Sequence, residues 1–240
     1  MPAYRSFLFA PGNHARKVVK VFDCGADNVI LDLEDAVAKT EKVATRALVV
    51  EALKRPRSGG AYIRVNAFST EFCYGDAVAV VGPGLDGIIL PTVESREQIV
   101  AFDWLVGALE RERGLQPGGI DIIPIIETAK GIANARAIAA AGTRVRRMAF
   151  GAGDYTLDLG MEWTLTETEL EHARAEMVVA SRSWVHRDRE GGGLLFELRR
   201  LGSDDDRPVT WDRQVTADEL VVAGTSEEGL AADGPQLVRG

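Results

Sequence analysis

Six short apolar runs, separated by stretches of helical composition, constrain this chain more than any other feature. The runs are Ser6–Phe9, Asn28–Leu33, Ala61–Val65, Gly87–Leu90, Ile120–Ile126 and Met148–Phe150. Among them, Ala15–Cys24, Lys42–Leu53, Arg96–Glu112, Ala129–Ala141 and Thr166–Ser181 mix charged and apolar residues as amphipathic helices do. Such alternation predicts βα units and a parallel sheet, because parallel strands need a crossover and a helix supplies it. Six units in roughly 180 residues is the density of a (β/α)8 barrel. An open doubly wound sheet shares the local pattern. No G-x-G-x-x-G follows any run, however, so a dinucleotide site has little support.

After Ser183 the texture changes. Gly191–Gly193 and Ser203–Asp206 are loop-like and the apolar periodicity weakens. Trp184–His186 is the candidate seventh strand, and Val209–Trp211 or Leu220–Val222 the eighth. The expectation is a TIM-type (β/α)8 barrel core over residues 1–183, carrying the site. An atypical part over 184–240 follows, with the barrel incomplete or rearranged after the sixth βα unit.

Composition narrows the function. The chain has 240 residues, 46% hydrophobic and 27% charged, enough for a large core in one domain. A formal net charge of −8 argues against a nucleic-acid surface, while leaving room for a local cationic pocket. Cys24 and Cys73 are too few for a disulfide framework or a zinc site. No stretch of membrane-spanning length is free of charges, and the N-terminus has no signal-peptide pattern. The chain reads as cytoplasmic, with no membrane partner.

Two of the runs lead into acids. I-D-I-I-P-I-I-E stops at Glu127, and R-M-A-F-G-A-G-D stops at Asp154. A carboxylate at the C-terminal end of a parallel strand points into the mouth where ligands bind. Two of them offer hard oxygens to Mg²⁺, which takes one or two carboxylates plus substrate and water. Either acid alone is also an ordinary helix cap. L-D-L-E-D places three further acids, Asp32, Glu34 and Asp35, at another strand end. They cannot all be buried unpaired. They are solvated or they orient cations and metal-bound water, the role favoured for Glu34 and Asp35. Arg64, in Y-I-R-V-N, has a planar fork suited to a carboxylate or a developing enolate oxygen, or to an ion pair with Glu34 or Asp35. Arg16, Lys17 and Lys20 would steer a phosphate-bearing ligand, or simply form a solvated helix face. Glu94, in L-P-T-V-E, reads as a helix cap, and none of the three histidines has metal-ligand spacing.

Taken in order, R-S-F-L-F-A-P-G-N, V-I-L-D-L-E-D-A-V, I-R-V-N, I-I-L-P-T-V-E-S, I-I-P-I-I-E-T-A-K-G-I and F-G-A-G-D-Y-T-L-D-L-G resemble the HpcH/HpaI aldolase and citrate lyase beta-subunit family. The likeness is to its free-standing CoA-ester lyases and covers residues 5–183. It implies a (β/α)8 barrel, a homo-oligomer (trimer or hexamer), and a divalent metal at the mouth. By resemblance Glu127 and Asp154 are the Mg²⁺ ligands and Arg64 binds the substrate's oxygens. Glu34 and Asp35 support that network, and Phe9, Arg16 and Lys20 contact the CoA portion. The implied reaction is reversible carbon–carbon cleavage of a 3-hydroxyacyl-CoA such as malyl-CoA or citramalyl-CoA, giving acetyl-CoA and a 2-oxo acid. Relatives carry I-H-P-x-Q near the eighth strand and a C-terminal segment that folds over an active site. Here Val209–Val215 lacks the His-Pro and the chain stops at Gly240. No general base is therefore assigned. An aldolase acting on free 2-oxo acids, and a non-catalytic relative that keeps the metal site, are the competing readings.

Overall fold

A computed structural model of the chain describes Tyr4, residues 6–184, 194–201 and 220–226. The elements run β1 (Ser6–Pro11), α1 (Ala15–Lys20), β2 (Asn28–Asp32), α2 (Lys42–Ala52), β3 (Gly60–Arg64), α3 (Cys73–Val80), β4 (Gly87–Leu90), α4 (Arg96–Glu112), β5 (Asp121–Ile126), α5 (Ala129–Ala139), β6 (Arg147–Gly151), α6 (Ala152–Asp158), α7 (Glu171–Trp184), β7 (Leu194–Leu201) and β8 (Leu220–Ser226). The first six strands pair in parallel, each with its neighbour in sequence, forming a curled sheet. Strands β7 and β8 pair in the same sense, and β8 returns to β1.

Strands buried on both faces must be apolar throughout, which explains the unbroken N-V-I-L-D and G-I-I-L runs. The outward face packs beneath the helices through residues such as Leu31, Ile63, Ile88, Ile122 and Phe150. The inward face has its own apolar layer: Phe7, Phe9, Ile30, Tyr62, Ile89, Ile123, Ile125 and Ala149. The two-residue period of a strand then dictates what lies above and below that layer. Toward the strands' N-terminal ends the same face carries Asn28, Asp121 and Arg147. Toward the C-terminal ends it carries Asp32, Arg64 and, one residue past β5, Glu127. The interior is thus polar at both ends and apolar between.

The strand expectations hold to within a residue or two at their ends. Several others need correction. The first helix is shorter than expected, with a 3-10 turn over Val21–Asp23 completing it. Helices α3 and α6 were not among the expected elements. Trp184 is not in a strand: the buried stripe Ala173, Met177, Ala180 keeps helical period, and α7 runs through to it. The rest of that candidate strand, and Val209–Trp211, lie outside the described residues. Leu220–Val222 opens β8, while β7 falls at Leu194–Leu201, where no strand was expected. Among the described residues, no helix is long and apolar enough to cross a membrane.

Candidate active site

The turns that follow the strands build the site. At the end of β2, Asp32 is held by the turn that follows it: Oδ1 accepts from Glu34 N at 2.8 Å and Oδ2 from Ala36 N at 3.1 Å. Lys42 Nζ donates to the carbonyls of Leu33 and Glu34 and pins the same turn from α2. Arg64, ending the neighbouring β3, meets Asp32 with both edges of its fork, Nε to Oδ1 at 2.8 Å and Nη2 to Oδ2 at 2.6 Å. Its Nη1 lies 3.2 Å from Glu34 Oε2 and 3.3 Å from Asp35 Oδ2, and its guanidinium stacks 5.1 Å above the Phe9 ring. The ion-pair alternative for Arg64 is therefore present, but its principal partner is Asp32, which the sequence did not single out.

Glu127 follows β5 directly and is almost fully buried. It is not the cap of α5. Thr128 is, accepting from Gly131 N at 3.0 Å. The Glu127 carboxylate turns inward instead, and its Oε1 accepts from Thr92 N at 2.7 Å and Thr92 Oγ1 at 3.1 Å. Gly151, at the end of β6, makes this possible. A Cβ there would press into Glu127 Oε2 and lie 2.7 Å from the glutamate's own Cβ. Asp154 does not end a strand as expected. The strand stops at Gly151, and Asp154 stands exposed in the first turn of α6.

These groups surround one cavity of about 320 Å³, lined by Glu34, Asp35, Thr92, Glu127, Thr128, Asp154, Leu157 and Asp158. Four strand ends thus deliver an acid-rich pocket. Burial raises the Glu127 carboxyl to about 7, and the charge of Asp154 adds to that, against the pull of Arg64 and the Thr92 hydrogen bonds. Burial raises Glu34 to about 9. Arg64 opposes that shift, and Asp35, Glu127 and Asp32 reinforce it. For Asp32 burial also pushes upward, but the charge and hydrogen bonds of Arg64 win and leave it below the ordinary aspartate value. Two acids that burial and mutual repulsion drive toward the neutral form are the environment a bound cation would relieve. The donor set fits Mg²⁺: carboxylate oxygens, one of them Glu127 Oε2, which accepts no hydrogen bond among the described residues. No group of three or more acids, histidines or cysteines converges on one point among those residues.

The structure thus brings Glu34, Asp35, Glu127 and Asp154 onto one cavity, with Arg64 and Phe9 immediately behind it. It does not bring Arg16 and Lys20 there. Both are exposed on α1, at the same end of the sheet but away from the cavity lining. Glu94 is not a cap: Ser95 caps α4, while Glu94 accepts from Lys130 Nζ at 3.1 Å and Thr128 Oγ1 at 3.2 Å. Asp32, Thr92, Thr128, Leu157 and Asp158 are site residues that sequence reasoning gave no role. Thr92 carried a faint signal, standing after Pro91 at a strand end.

A curled parallel α/β sheet with a carboxylate-lined cavity at its C-terminal edge belongs to the class whose ligands bind where the strands end. Within that class, the chain belongs to the HpcH/HpaI aldolase/citrate lyase family, whose model matches residues 5–185. It is 36% identical over 237 residues to the citrate lyase subunit beta of Escherichia coli K12, covering 93% of this chain and 78% of that protein. It is 38% identical over 166 residues to the L-malyl-CoA/beta-methylmalyl-CoA lyase of Cereibacter sphaeroides (strain ATCC 17025 / ATH 2.4.3). That match covers 67% of this chain and 52% of the lyase. Among solved structures, the protein CitE of Mycobacterium tuberculosis in complex with magnesium, acetoacetate and coenzyme A superposes with a TM-score of 0.63. It is 27% identical, with 82% of this chain and 66% of that one covered.

Proposed function

We propose that this chain is a Mg²⁺-dependent carbon–carbon lyase that cleaves or forms a 3-hydroxyacyl-CoA such as malyl-CoA or citramalyl-CoA. Cleavage gives acetyl-CoA and a 2-oxo acid, and the reverse reaction joins them. One observation carries the reading: Glu127, buried and with one oxygen left over, shares a cavity with Asp154 directly in front of the Asp32–Arg64 pair. The names of the relatives, and the magnesium and coenzyme A of the M. tuberculosis complex, support it.

Glu127 and Asp154 would hold the ion. Bound there, Mg²⁺ would supply Lewis-acid polarisation of the substrate's oxygens and lower the pKa of the hydroxyl that must lose its proton. Arg64 would stabilise negative charge developing on the substrate's oxygens. Arg64 is itself buried, and a fixed cation held out of bulk water acts at a lower effective dielectric. Asp32 holds the guanidinium in one orientation, so no reorganisation is needed as that charge develops. Glu34 and Asp35 complete the ring around Arg64 and face the cavity, and Phe9 supports the guanidinium from below. Arg16 and Lys20 are the proposed contacts to the phosphates of CoA, made outside the cavity on α1. In this reading residues 1–183 are the core of a TIM-type (β/α)8 barrel and carry the site, with 184–240 an atypical C-terminal part.

The test is release of acetyl-CoA from malyl-CoA and citramalyl-CoA, with Mg²⁺ and with EDTA. Turnover should require the metal, and Glu127→Ala and Asp154→Ala should each lose at least about a hundredfold in kcat/KM. Folded protein that binds Mg²⁺ yet releases nothing from either thioester would refute the lyase.

A further inference from the structure

Thr92 is held in a conformation that a threonine avoids. Its φ is 51°, in the left-handed region where a β-branched side chain crowds its own backbone. The surroundings enforce it. Val93 N donates to Ile125 O at 3.1 Å, tying the turn after β4 to β5. Strain kept in place at a ligand cavity calls for a return elsewhere in the site. Here the turn aims two donors of one residue, the N–H and the hydroxyl, at a single oxygen of Glu127. The other oxygen faces Gly151, whose missing side chain leaves it room.

We infer that Thr92 is the positioning residue of the metal centre, fixing Glu127 Oε1 through two hydrogen bonds so that Oε2 is the oxygen presented to the cation. This rests on Glu127 being a metal ligand. A carboxylate free to rotate would exchange its two oxygens and lose freedom on binding the ion. One already clamped has little left to lose. Groups that orient metal ligands in this way typically control affinity by ten- to a hundredfold. The main-chain N–H survives any substitution at position 92, so the hydroxyl's share is the part that can be tested.

The experiment is Mn²⁺ binding followed by electron paramagnetic resonance, with Mg²⁺ competition, on the wild-type chain, Thr92→Val, Thr92→Ser and Glu127→Gln. Melting temperatures are recorded without metal. Thr92→Val keeps the branched shape and removes the hydroxyl. It should weaken Mn²⁺ binding about tenfold. Thr92→Ser should stay within about twofold of wild type, since it retains the donor. In steady-state turnover, saturating Mg²⁺ should restore the kcat of Thr92→Val, placing the loss in the metal's apparent affinity. Wild-type affinity in Thr92→Val, with binding abolished in Glu127→Gln, would overturn the role of Thr92 alone. Equal losses in the Val and Ser variants would also overturn it, assigning the effect to the turn's packing. If Glu127→Gln binds as wild type does, the metal-site reading fails and this proposal fails with it.

Discussion

Arg64 is a buried cation shared among three acids, but the sharing is unequal. Asp32 takes two short bonds at 2.8 and 2.6 Å, while Glu34 and Asp35 sit at 3.2 and 3.3 Å from the remaining nitrogen. Removing one partner of a buried pair leaves the other charge uncompensated, at a cost of several kcal/mol. Asp32→Asn turns an amide N–H toward a guanidinium N–H. It should lower unfolding free energy by about 3 kcal/mol in urea titrations, the low end because two acids remain. The pH dependence has a definite sign. The folded Asp32 binds its proton less readily than the unfolded one. Its contribution is therefore present above the ordinary value of 3.8 and is lost as pH falls below that, through the folded pKa. In Asp32→Asn that part of the acid limb should flatten, and an unchanged limb would deny Asp32 this role. At this scale the sequence was legible by residue type only. L-D-L-E-D and Y-I-R announced acids beside an arginine. Which acid takes the fork depends on register, Asp32 standing opposite Arg64, and sequence does not state the register. Thr92 left only a faint trace for a related reason: the proposed role comes from a dihedral angle, which sequence does not state.

Elements were far more legible than contacts, because each rests on a period that survives in one dimension. Helix α4 was anticipated at Arg96–Glu112 and found there, since Ile99, Phe102, Val106 and Leu109 repeat at helical spacing. Helices α3 and α6 are short, of 8 and 7 residues, and their glycines break the pattern. The start of α4 illustrates a second kind of signal. Ser95 accepts from Gln98 N while the Gln98 side chain accepts from Ser95 N, a reciprocal cap. Ser95→Ala should cost about 1 kcal/mol of stability by thermal or urea unfolding. Turnover should not change, because Ser95 touches none of the cavity-lining groups. A kinetic defect in a folded Ser95→Ala protein would mean that α4 transmits its position to the Thr92 turn.

At the scale of the whole molecule, the interior of the curled sheet is divided along the strand direction. The C-terminal end gathers Asp32, Arg64 and Glu127 into a site open to ligand. The N-terminal end closes over a second polar group, in which Arg147 reaches Asp121 at 3.2 Å and Tyr62 donates to the same oxygen at 3.2 Å. The Tyr4 ring covers Arg147 at 4.9 Å. Parallel βα folds place chemistry at the first end and stability at the second. Asn28 tests that division. It is fully buried on the floor, and neither its Oδ1 nor its Nδ2 has a hydrogen-bond partner among the described residues. An unsatisfied buried amide costs about 1–3 kcal/mol, whereas an apolar side chain of similar shape costs nothing of that kind. Valine is also branched, of comparable size and well suited to a strand. Asn28→Val should therefore raise stability by about 1 kcal/mol, or roughly 2–4 °C for a chain of this size. Because the apolar layer of Ile30, Tyr62 and Ile123 lies between Asn28 and the cavity, kcat/KM and Mg²⁺ affinity should stay as in wild type. A lower melting temperature in calorimetry would mean that the amide is satisfied by buried water and that the floor is a cooperative polar network. A change in Mg²⁺ affinity would mean that the apolar layer does not insulate one end of the strands from the other.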